Sequence, residues 1–280
     1  MTDDNQKRRA ETFRRAHQSP PLLLLPNAWD PMSARQFEAA GFSAIATTSG
    51  GVAWALGFPD GEKTPWPEVV AATARIVRAV RVPVTADIEA GYGETPEQVG
   101  RSITEIIQAG VVGVNLEDGT PRTDQPVLPI EAAAARIRAA RQAANESGIP
   151  LVINARVDLY IKKVGDDASR FDETVQRAKA YVEAGADCIY PFGLGDMDII
   201  ARLTKAVGAP INVVARAGTP PAAELERIGV ARVSIASGAT LAVMSLIKTI
   251  ATDLHANRRF DTLAHSMNRP EAQKLFDPRN

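Results

Sequence analysis

The chain has 280 residues, of which 45% are hydrophobic, and its 32 basic and 33 acidic residues almost cancel. This near-neutral charge removes the electrostatic basis for binding nucleic acid or an anionic membrane, so we expect small-molecule partners. A single cysteine, Cys188, excludes an internal disulfide and fits a reducing compartment. The polar N-terminus does not resemble a signal peptide, and no apolar run reaches the ~20 residues that a membrane helix needs. We therefore expect a cytoplasmic protein.

The chain repeats one pattern, in which a short apolar run is followed by a turn and then by an amphipathic segment rich in Ala and Arg. This alternation predicts a strand followed by a helix. Strands are predicted at 22–26, 43–48, 82–88, 113–117, 151–155, 188–191, 211–215 and 233–236. Helices are predicted near 31–40, 67–80, 96–109, 130–146, 169–184, 196–207, 221–228 and 238–256. Eight such units predict an α/β fold, a single (β/α)8 TIM-type barrel over residues 1–280, with a helical extension from about residue 257.

Local signals agree with these boundaries. Thr95 is followed by Pro96 and Gln98, which is the pattern of a capped helix start. Gly41, Gly110 and Gly185 each follow a helical segment and precede a strand, as glycines that end helices do. No G-x-G-x-x-G follows the first strand, which disfavours a dinucleotide-binding sheet. The segment after residue 257 is compatible with packing on a neighbouring subunit and with folding back on the barrel.

Residues 83–93 form an apolar run that ends in Asp87, Glu89 and a glycine turn. Alternate residues of a strand lie on the same face, so the two carboxylates would repel each other unless a cation lay between them. Mg²⁺ is the natural candidate, with Mn²⁺ as an alternative, because both prefer hard oxygen ligands. The competing interpretation is a structural aspartate at a strand-to-helix turn.

The ends of the other predicted strands are also acidic. In a barrel these ends meet at one mouth, where catalytic groups lie. A divalent metal, with help from Arg156, would offset the repulsion between the carboxylates. Ser49, Gly50 and Gly51 form a predicted turn whose backbone N–H groups can approach a carboxylate, and the alternative is a tight turn without a ligand. The acidic residues collected in this way are Asp30, Asp60, Asp87, Glu89, Glu117, Asp118 and Asp158.

Six segments, taken together and in order, resemble the isocitrate lyase / phosphoenolpyruvate mutase superfamily over roughly residues 20–245. The segments are 27–34, 48–51, 56–60, 87–93, 115–118 and 154–158. The resemblance implies a (β/α)8 barrel, dependence on Mg²⁺, and a 2-oxo acid bound at the mouth. It also implies an eighth helix swapped between the subunits of a dimer, commonly within a tetramer.

The same resemblance assigns roles by position. Asp87 matches the principal metal carboxylate, and Asp60, Glu89 and Glu117 would hold the ion directly or through its waters. The family usually has Asp where this chain has Glu89, a change of one methylene without a change of charge. In the substrate site, Ser49, Gly50 and Gly51 match the carboxylate cradle, Arg156 matches the arginine that neutralises the oxo acid, and Asn212 matches a further substrate-binding position.

The chain departs from the family pattern where proton transfer is expected. The loop at 119–128 lacks the Cys and His of the isocitrate-type lyases, and it also lacks the Lys and Asn of the phosphonate enzymes. Phe192 stands where Glu or His is usual. Cys188 is expected in the core, and Tyr92 and Arg122 remain for handling protons, although both are poor bases near neutral pH. The histidines fall outside the predicted strand ends, at His17, His255 and His265.

The sequence therefore predicts a Mg²⁺-dependent, homo-oligomeric lyase. It would break a carbon–carbon bond of a 2-oxo or 2-hydroxy di- or tricarboxylate, by decarboxylation or retro-aldol cleavage, through an enolate stabilised by Mg²⁺ and Arg156. Asp60 and Tyr92 complete the catalytic candidates. Two alternatives stay open: carbon–phosphorus chemistry of the phosphoenolpyruvate mutase or phosphonopyruvate hydrolase kind, and a non-catalytic barrel that binds a 2-oxo acid.

Overall fold

The computed structural model describes residues 4–18, 20–264 and 266–277, so that His265 lies outside the described residues. All paired strands are parallel, in the orders β2-β3-β4-β5-β6-β7 and β1-β9-β8. Pro26 separates β1 from β2, and a parallel bridge between Ile189 and Ile211 joins β7 to the start of β8, which closes the barrel. The predicted α/β barrel is confirmed. The strands are β1 (Leu23–Leu25), β2 (Asn27–Ala28), β3 (Ile45–Thr47), β4 (Val84–Asp87), β5 (Gly113–Glu117), β6 (Val152–Val157), β7 (Cys188–Pro191), β8 (Asn212–Val214) and β9 (Arg232–Ser234).

Helices alternate with these strands and pack around them. They are α1 (Asp4–Arg15), α2 (Pro31–Ala39), α3 (Ser49–Leu56), α4 (Trp66–Ala79), α5 (Pro96–Gln108), α6 (Ile130–Ser147), α7 (Asp167–Glu183), α8 (Met197–Val207), α9 (Ala222–Arg227), α10 (Gly238–Thr252) and α11 (Arg269–Leu275). The Thr95 side chain caps α5 in a reciprocal capping box with Gln98, as predicted. Gly41, Gly110 and Gly185 have φ values of 93°, 97° and 109°, the left-handed backbone expected at helix ends.

The N-terminal helix α1, which the sequence did not predict, covers the end of the barrel opposite the mouth. Phe13 is 1% exposed, and its Cε1 atom lies 2.9 Å from where a Cβ on Gly113 would stand. His17 packs edge-on against the Phe13 ring at 4.7 Å. Burial, with the nearby charge of Arg232, lowers the pKa of His17 to about 3. His17 is therefore a neutral structural residue, far from the mouth.

The barrel interior below the mouth is polar. Arg232 has no exposed surface, and its Nη2 donates to Asn115 Oδ1 at 3.2 Å. Asn154 Nδ2 donates to the same oxygen at 2.8 Å. Cys188 is fully buried on β7, and burial raises its pKa to about 12, which fits the predicted core residue rather than a nucleophile.

The C-terminal part of the chain combines an exposed apolar helix with a short return segment. On α10, Leu241, Met244, Leu246 and Ile247 are 50%, 47%, 54% and 58% exposed. The following segment turns back, so that α11 lies against α2. Across the described ranges, no helix combines the length and the apolar character that crossing a membrane would require.

Candidate active site

Asp87 lies at the centre of the mouth, at the end of β4. Its backbone N–H donates to Thr47 Oγ1 at 2.9 Å, and the Ser49 N–H donates to Asp87 Oδ2 at 3.3 Å. The other carboxylate oxygen, Oδ1, is buried and has no hydrogen-bond partner within the described part of the chain. A buried carboxylate oxygen without a donor is unfavourable, so this atom is suited to bind a cation or its water.

Arg156, on β6, is held in place by three side chains, those of Glu117, Asp158 and Phe192. Its Nη1 pairs with Glu117 Oε2 at 2.7 Å, as the pairing of these two residues between β5 and β6 allows. Nε and Nη2 donate to the two oxygens of Asp158 at 2.6 and 3.0 Å, and the guanidinium carbon lies 3.9 Å from the centre of the Phe192 ring. Burial alone would lower the pKa of Arg156, but the carboxylates of Glu117 and Asp158 raise it above its usual value. Arg156 is therefore a fixed, permanent cation.

Glu89 and Tyr92 follow β4 and lie next to the loop between α3 and α4, which carries Asp60. Glu89 is 6% exposed, and its two oxygens accept from the Glu62 N–H at 2.9 Å and from the Tyr92 hydroxyl at 3.1 Å. Burial, followed by the charge of Glu89, raises the pKa of Tyr92 far above its usual value. Tyr92 thus acts as a hydrogen-bond donor to Glu89 and not as a base.

Burial and mutual repulsion raise the pKa values of several carboxyl groups at the mouth. Burial, and then the charge of Asp87, raises the pKa of Asp60. Burial is also the main cause that raises the pKa of Glu89 to about 7, with Asp87 and Asp60 adding to it. Burial raises the pKa of Glu117 well above its usual range in spite of Arg156. One arginine does not offset this concentration of acid, whereas an added divalent cation would favour the ionised forms.

The donor set fits Mg²⁺ held largely through water. No group of three carboxylate, imidazole or thiol side chains in the described ranges is already gathered as a closed ligand set. Mg²⁺ commonly binds through one or two carboxylates and keeps several waters. Asp87 Oδ1 supplies the free oxygen for direct contact, and Asp60, Glu89 and Glu117 would accept from the metal's waters. These roles stay predictions.

The predicted Ser49–Gly50–Gly51 turn is the first turn of α3. The N-cap residue Thr48 makes no side-chain bond to its own helix, because its Oγ1 instead shares a 2.8 Å hydrogen bond with Ser237 Oγ. A Cβ on Gly51 would stand 2.6 Å from Thr48 Cγ2, so glycine is required for the packing there. The Ser49 N–H already donates to Asp87 Oδ2, whereas the Gly50 and Gly51 N–H groups and the positive end of the helix dipole make this turn suitable for a carboxylate.

Three residues singled out in the sequence make hydrogen bonds within the protein. Asp118 does not face the metal-side carboxylates, because its Oδ2 accepts from Arg177 Nη1 at 2.9 Å and from the Tyr181 hydroxyl at 2.6 Å, both on α7. Asp30 caps α2. Asn212 has no exposed surface and accepts from Ser234 Oγ at 3.3 Å inside the barrel, so its substrate-binding role stays a prediction.

The loop between β5 and α6 is tied down. Gly119 and Val127 form an antiparallel bridge across its base, and Lys162 Nζ donates to the Thr120 carbonyl at 3.0 Å. Arg122 pairs with Asp124 at 2.5 Å on the surface, with side chains that are 61% and 70% exposed. Arg122 is thereby removed from the candidates for proton handling.

Comparison with known proteins identifies the family. A family profile for phosphoenolpyruvate phosphomutase matches residues 13–255, and the chain belongs to this family. It therefore belongs to the isocitrate lyase / phosphoenolpyruvate mutase superfamily, whose members are carbon–carbon lyases or mutases. This confirms the resemblance seen in the sequence.

Several relatives carry lyase, mutase or decarboxylase names. A structure from Burkholderia cenocepacia, provisionally described as a lyase/mutase, is 36% identical with a TM-score of 0.92 and covers 98% of each chain. Oxaloacetate decarboxylase 2 of Pseudomonas putida is 30% identical over 231 residues, which are 80% of this chain and 72% of that one. The structure of a 2,3-dimethylmalate lyase is 25% identical, with a TM-score of 0.81 and coverage of 95% and 94%.

Proposed function

We propose that the protein is a Mg²⁺-dependent lyase that breaks a carbon–carbon bond of a 2-oxo or 2-hydroxy di- or tricarboxylate, with oxaloacetate decarboxylation as the representative reaction. The observation that carries this proposal is the presence at one mouth of a fixed cation, Arg156, which Glu117 and Asp158 hold, and of Asp87, whose buried Oδ1 has no hydrogen-bond donor among the described residues. Bound at Asp87, Mg²⁺ would act as a Lewis acid that polarises the 2-oxo group. The similarity to an oxaloacetate decarboxylase supports the same reaction.

The protein's own groups would bind and orient the substrate. The Gly50 and Gly51 N–H groups at the start of α3 would receive its C1 carboxylate. Arg156 neutralises the negative charge that grows on the 2-oxo oxygen as the carbon–carbon bond breaks. Asp158 and Glu117 already hold the guanidinium in place, so it needs little reorganisation during the reaction.

The shortage of proton-transfer groups favours decarboxylation. Tyr92 donates to Glu89, Arg122 is paired on the surface, and Cys188 is buried in the core. Decarboxylation needs no base to start, because CO₂ leaves with no proton to remove, and the carbon is protonated only afterwards. A bulky retro-aldol substrate would need a base for its hydroxyl group.

The test measures pyruvate formation from oxaloacetate by the purified protein, with Mg²⁺ and with EDTA. A protein-free blank with the same Mg²⁺ corrects for the spontaneous reaction. We expect turnover only with protein and Mg²⁺ together, and none with phosphonopyruvate assayed in parallel. Turnover of phosphonopyruvate alone would overturn the carbon–carbon proposal in favour of carbon–phosphorus chemistry. Binding of Mg²⁺ and oxalate without turnover of either substrate would point to a non-catalytic barrel.

We also propose that a second copy of the chain covers the apolar face of α10, giving a homo-oligomer, as the resemblance implies. Four large apolar side chains on one helix are unusually exposed for a monomer. We expect the wild type to be at least dimeric by light scattering, and Ile247→Glu to shift it toward monomer. Met32→Glu on α2, where Met32 is 50% exposed, is the control and should not change the assembly. A monomeric wild type would refute the proposal.

A further inference from the structure

Two loops at the mouth are fastened to each other through one residue, Glu62. Its backbone N–H donates to Glu89 Oε2 at 2.9 Å, and its carboxylate Oε1 accepts from the Tyr92 N–H at 2.7 Å. The Tyr92 hydroxyl then closes the cycle on Glu89 Oε1 at 3.1 Å. The loop between α3 and α4, which carries Asp60, is thus bonded to the loop between β4 and α5 in both directions.

The backbone of this contact is strained at all three residues. Glu62, Glu89 and Tyr92 have φ values of 56°, 52° and 51°, although none of them is glycine. Such conformations cost free energy and persist where the surrounding contacts enforce them, typically at functional sites. The reciprocal hydrogen bonds of Glu62 are contacts of that kind. The rings of Trp66, the first residue of α4, and Tyr92 lie 4.8 Å apart and add a second contact close to the first.

We propose that Glu62 is a positioning residue that sets the places of Asp60 and Glu89 for the Mg²⁺ assigned to this site, an inference that rests on the proposed function. Asp60 lies two residues before Glu62, so fixing Glu62 restricts where the Asp60 carboxylate can lie. The Glu62 N–H and the Tyr92 hydroxyl each occupy one lone pair of a Glu89 oxygen. The remaining lone pairs are then presented in a fixed direction.

A substitution at Glu62 can remove the side-chain oxygen that accepts from the Tyr92 N–H. Glu62→Ala deletes the partner of the Tyr92 N–H, whereas Glu62→Gln keeps an oxygen of the same reach. Loss of an outer-shell partner typically costs about 10–100-fold in metal affinity. The site of change is exposed, so the fold should be unaffected.

The test is calorimetry with Mg²⁺ alone, together with hydrogen exchange at the Tyr92 amide. We expect Glu62→Ala to weaken Mg²⁺ binding about tenfold and to lose protection of that amide, and Glu62→Gln to restore both. Glu94→Ala, an exposed position on the β4–α5 loop that carries Tyr92, is the control and should behave as wild type.

Equal Mg²⁺ affinity in wild type, Glu62→Ala and Glu62→Gln would overturn the positioning role. If the wild type bound no Mg²⁺, the proposed function itself would be overturned. This outcome differs from failure of the positioning role, because it is seen already in the protein without a substitution. Weaker binding in Glu62→Ala with an unchanged urea midpoint excludes a merely structural effect.

Discussion

Asp87→Asn is expected to abolish measurable Mg²⁺ binding and to lower oxaloacetate turnover by roughly 1,000-fold, equivalent to about 4 kcal/mol of lost transition-state stabilisation. The amide keeps the shape of the side chain and an oxygen for the Ser49 N–H. It removes the negative charge and replaces one carboxylate oxygen with an N–H donor, which cannot bind a cation. The measurement is calorimetry with Mg²⁺, followed by pyruvate formation at saturating oxaloacetate.

Asp172→Asn, on the exposed face of α7, is the matched control and should keep both properties. The isosteric substitution at Asp87 should leave the protein no less stable to urea unfolding than wild type, because it keeps the acceptor for the Ser49 N–H and removes the repulsion between Asp87 and the carboxylates of Asp60 and Glu89. If Asp87→Asn retained Mg²⁺-dependent turnover, the metal would have to be held elsewhere.

Arg177→Met is expected to lower the free energy of unfolding by about 3–5 kcal/mol, the usual cost of leaving one partner of a buried ion pair alone. Asp118 and Arg177 have side chains that are 1% and 4% exposed, and they lie 2.9 Å apart. Without Arg177, the Asp118 carboxylate would keep the Tyr181 hydroxyl and the Asp158 N–H as donors, but it would lose its counter-ion. Urea unfolding measures the effect.

Arg138→Met is the control for this substitution. Arg138 pairs with Glu131 at 3.7 Å, but the two side chains are 55% and 85% exposed, so we expect a change within about 0.5 kcal/mol. Arg177→Met should also lower turnover, because Asp118 holds the backbone of Asp158, which orients Arg156. If Arg177→Met and Arg138→Met had the same free energy of unfolding, the buried Asp118–Arg177 pair would contribute no more to stability than the exposed Glu131–Arg138 pair.

The fold was predictable because its signals are local. Capping residues such as Thr95 and the left-handed glycines mark helix ends within a few residues of sequence, and all three glycines behaved as expected. Two helices escaped prediction. In α1 only Ala10 and Phe13 are buried, which gives too weak a periodicity, and α3 begins with Ser-Gly-Gly, a composition typical of a turn.

The site was predictable only in part, because neighbouring acidic residues at the end of a strand do not share a face. Glu117 and Asp118 were both expected at the mouth, yet adjacent residues of a strand point to opposite faces, and only Glu117 meets Arg156. Partners distant along the chain were beyond sequence reasoning. Glu62 bonds Glu89 from 27 residues away, and Arg177 bonds Asp118 from 59 residues away. Pairings of this kind become visible only in the folded chain.

The bridged loop between β5 and α6 bears on the stereochemistry of the product. This loop contains neither Cys nor His, and its Arg122 is paired with Asp124, so we expect the product carbon to take its proton from water. Water that protonates an enol after its release from the protein attacks both faces equally. In D₂O, a C3-methylated substrate would then give a deuterated methylene of mixed configuration, whereas a lyase with a dedicated acid would deliver a single enantiomer.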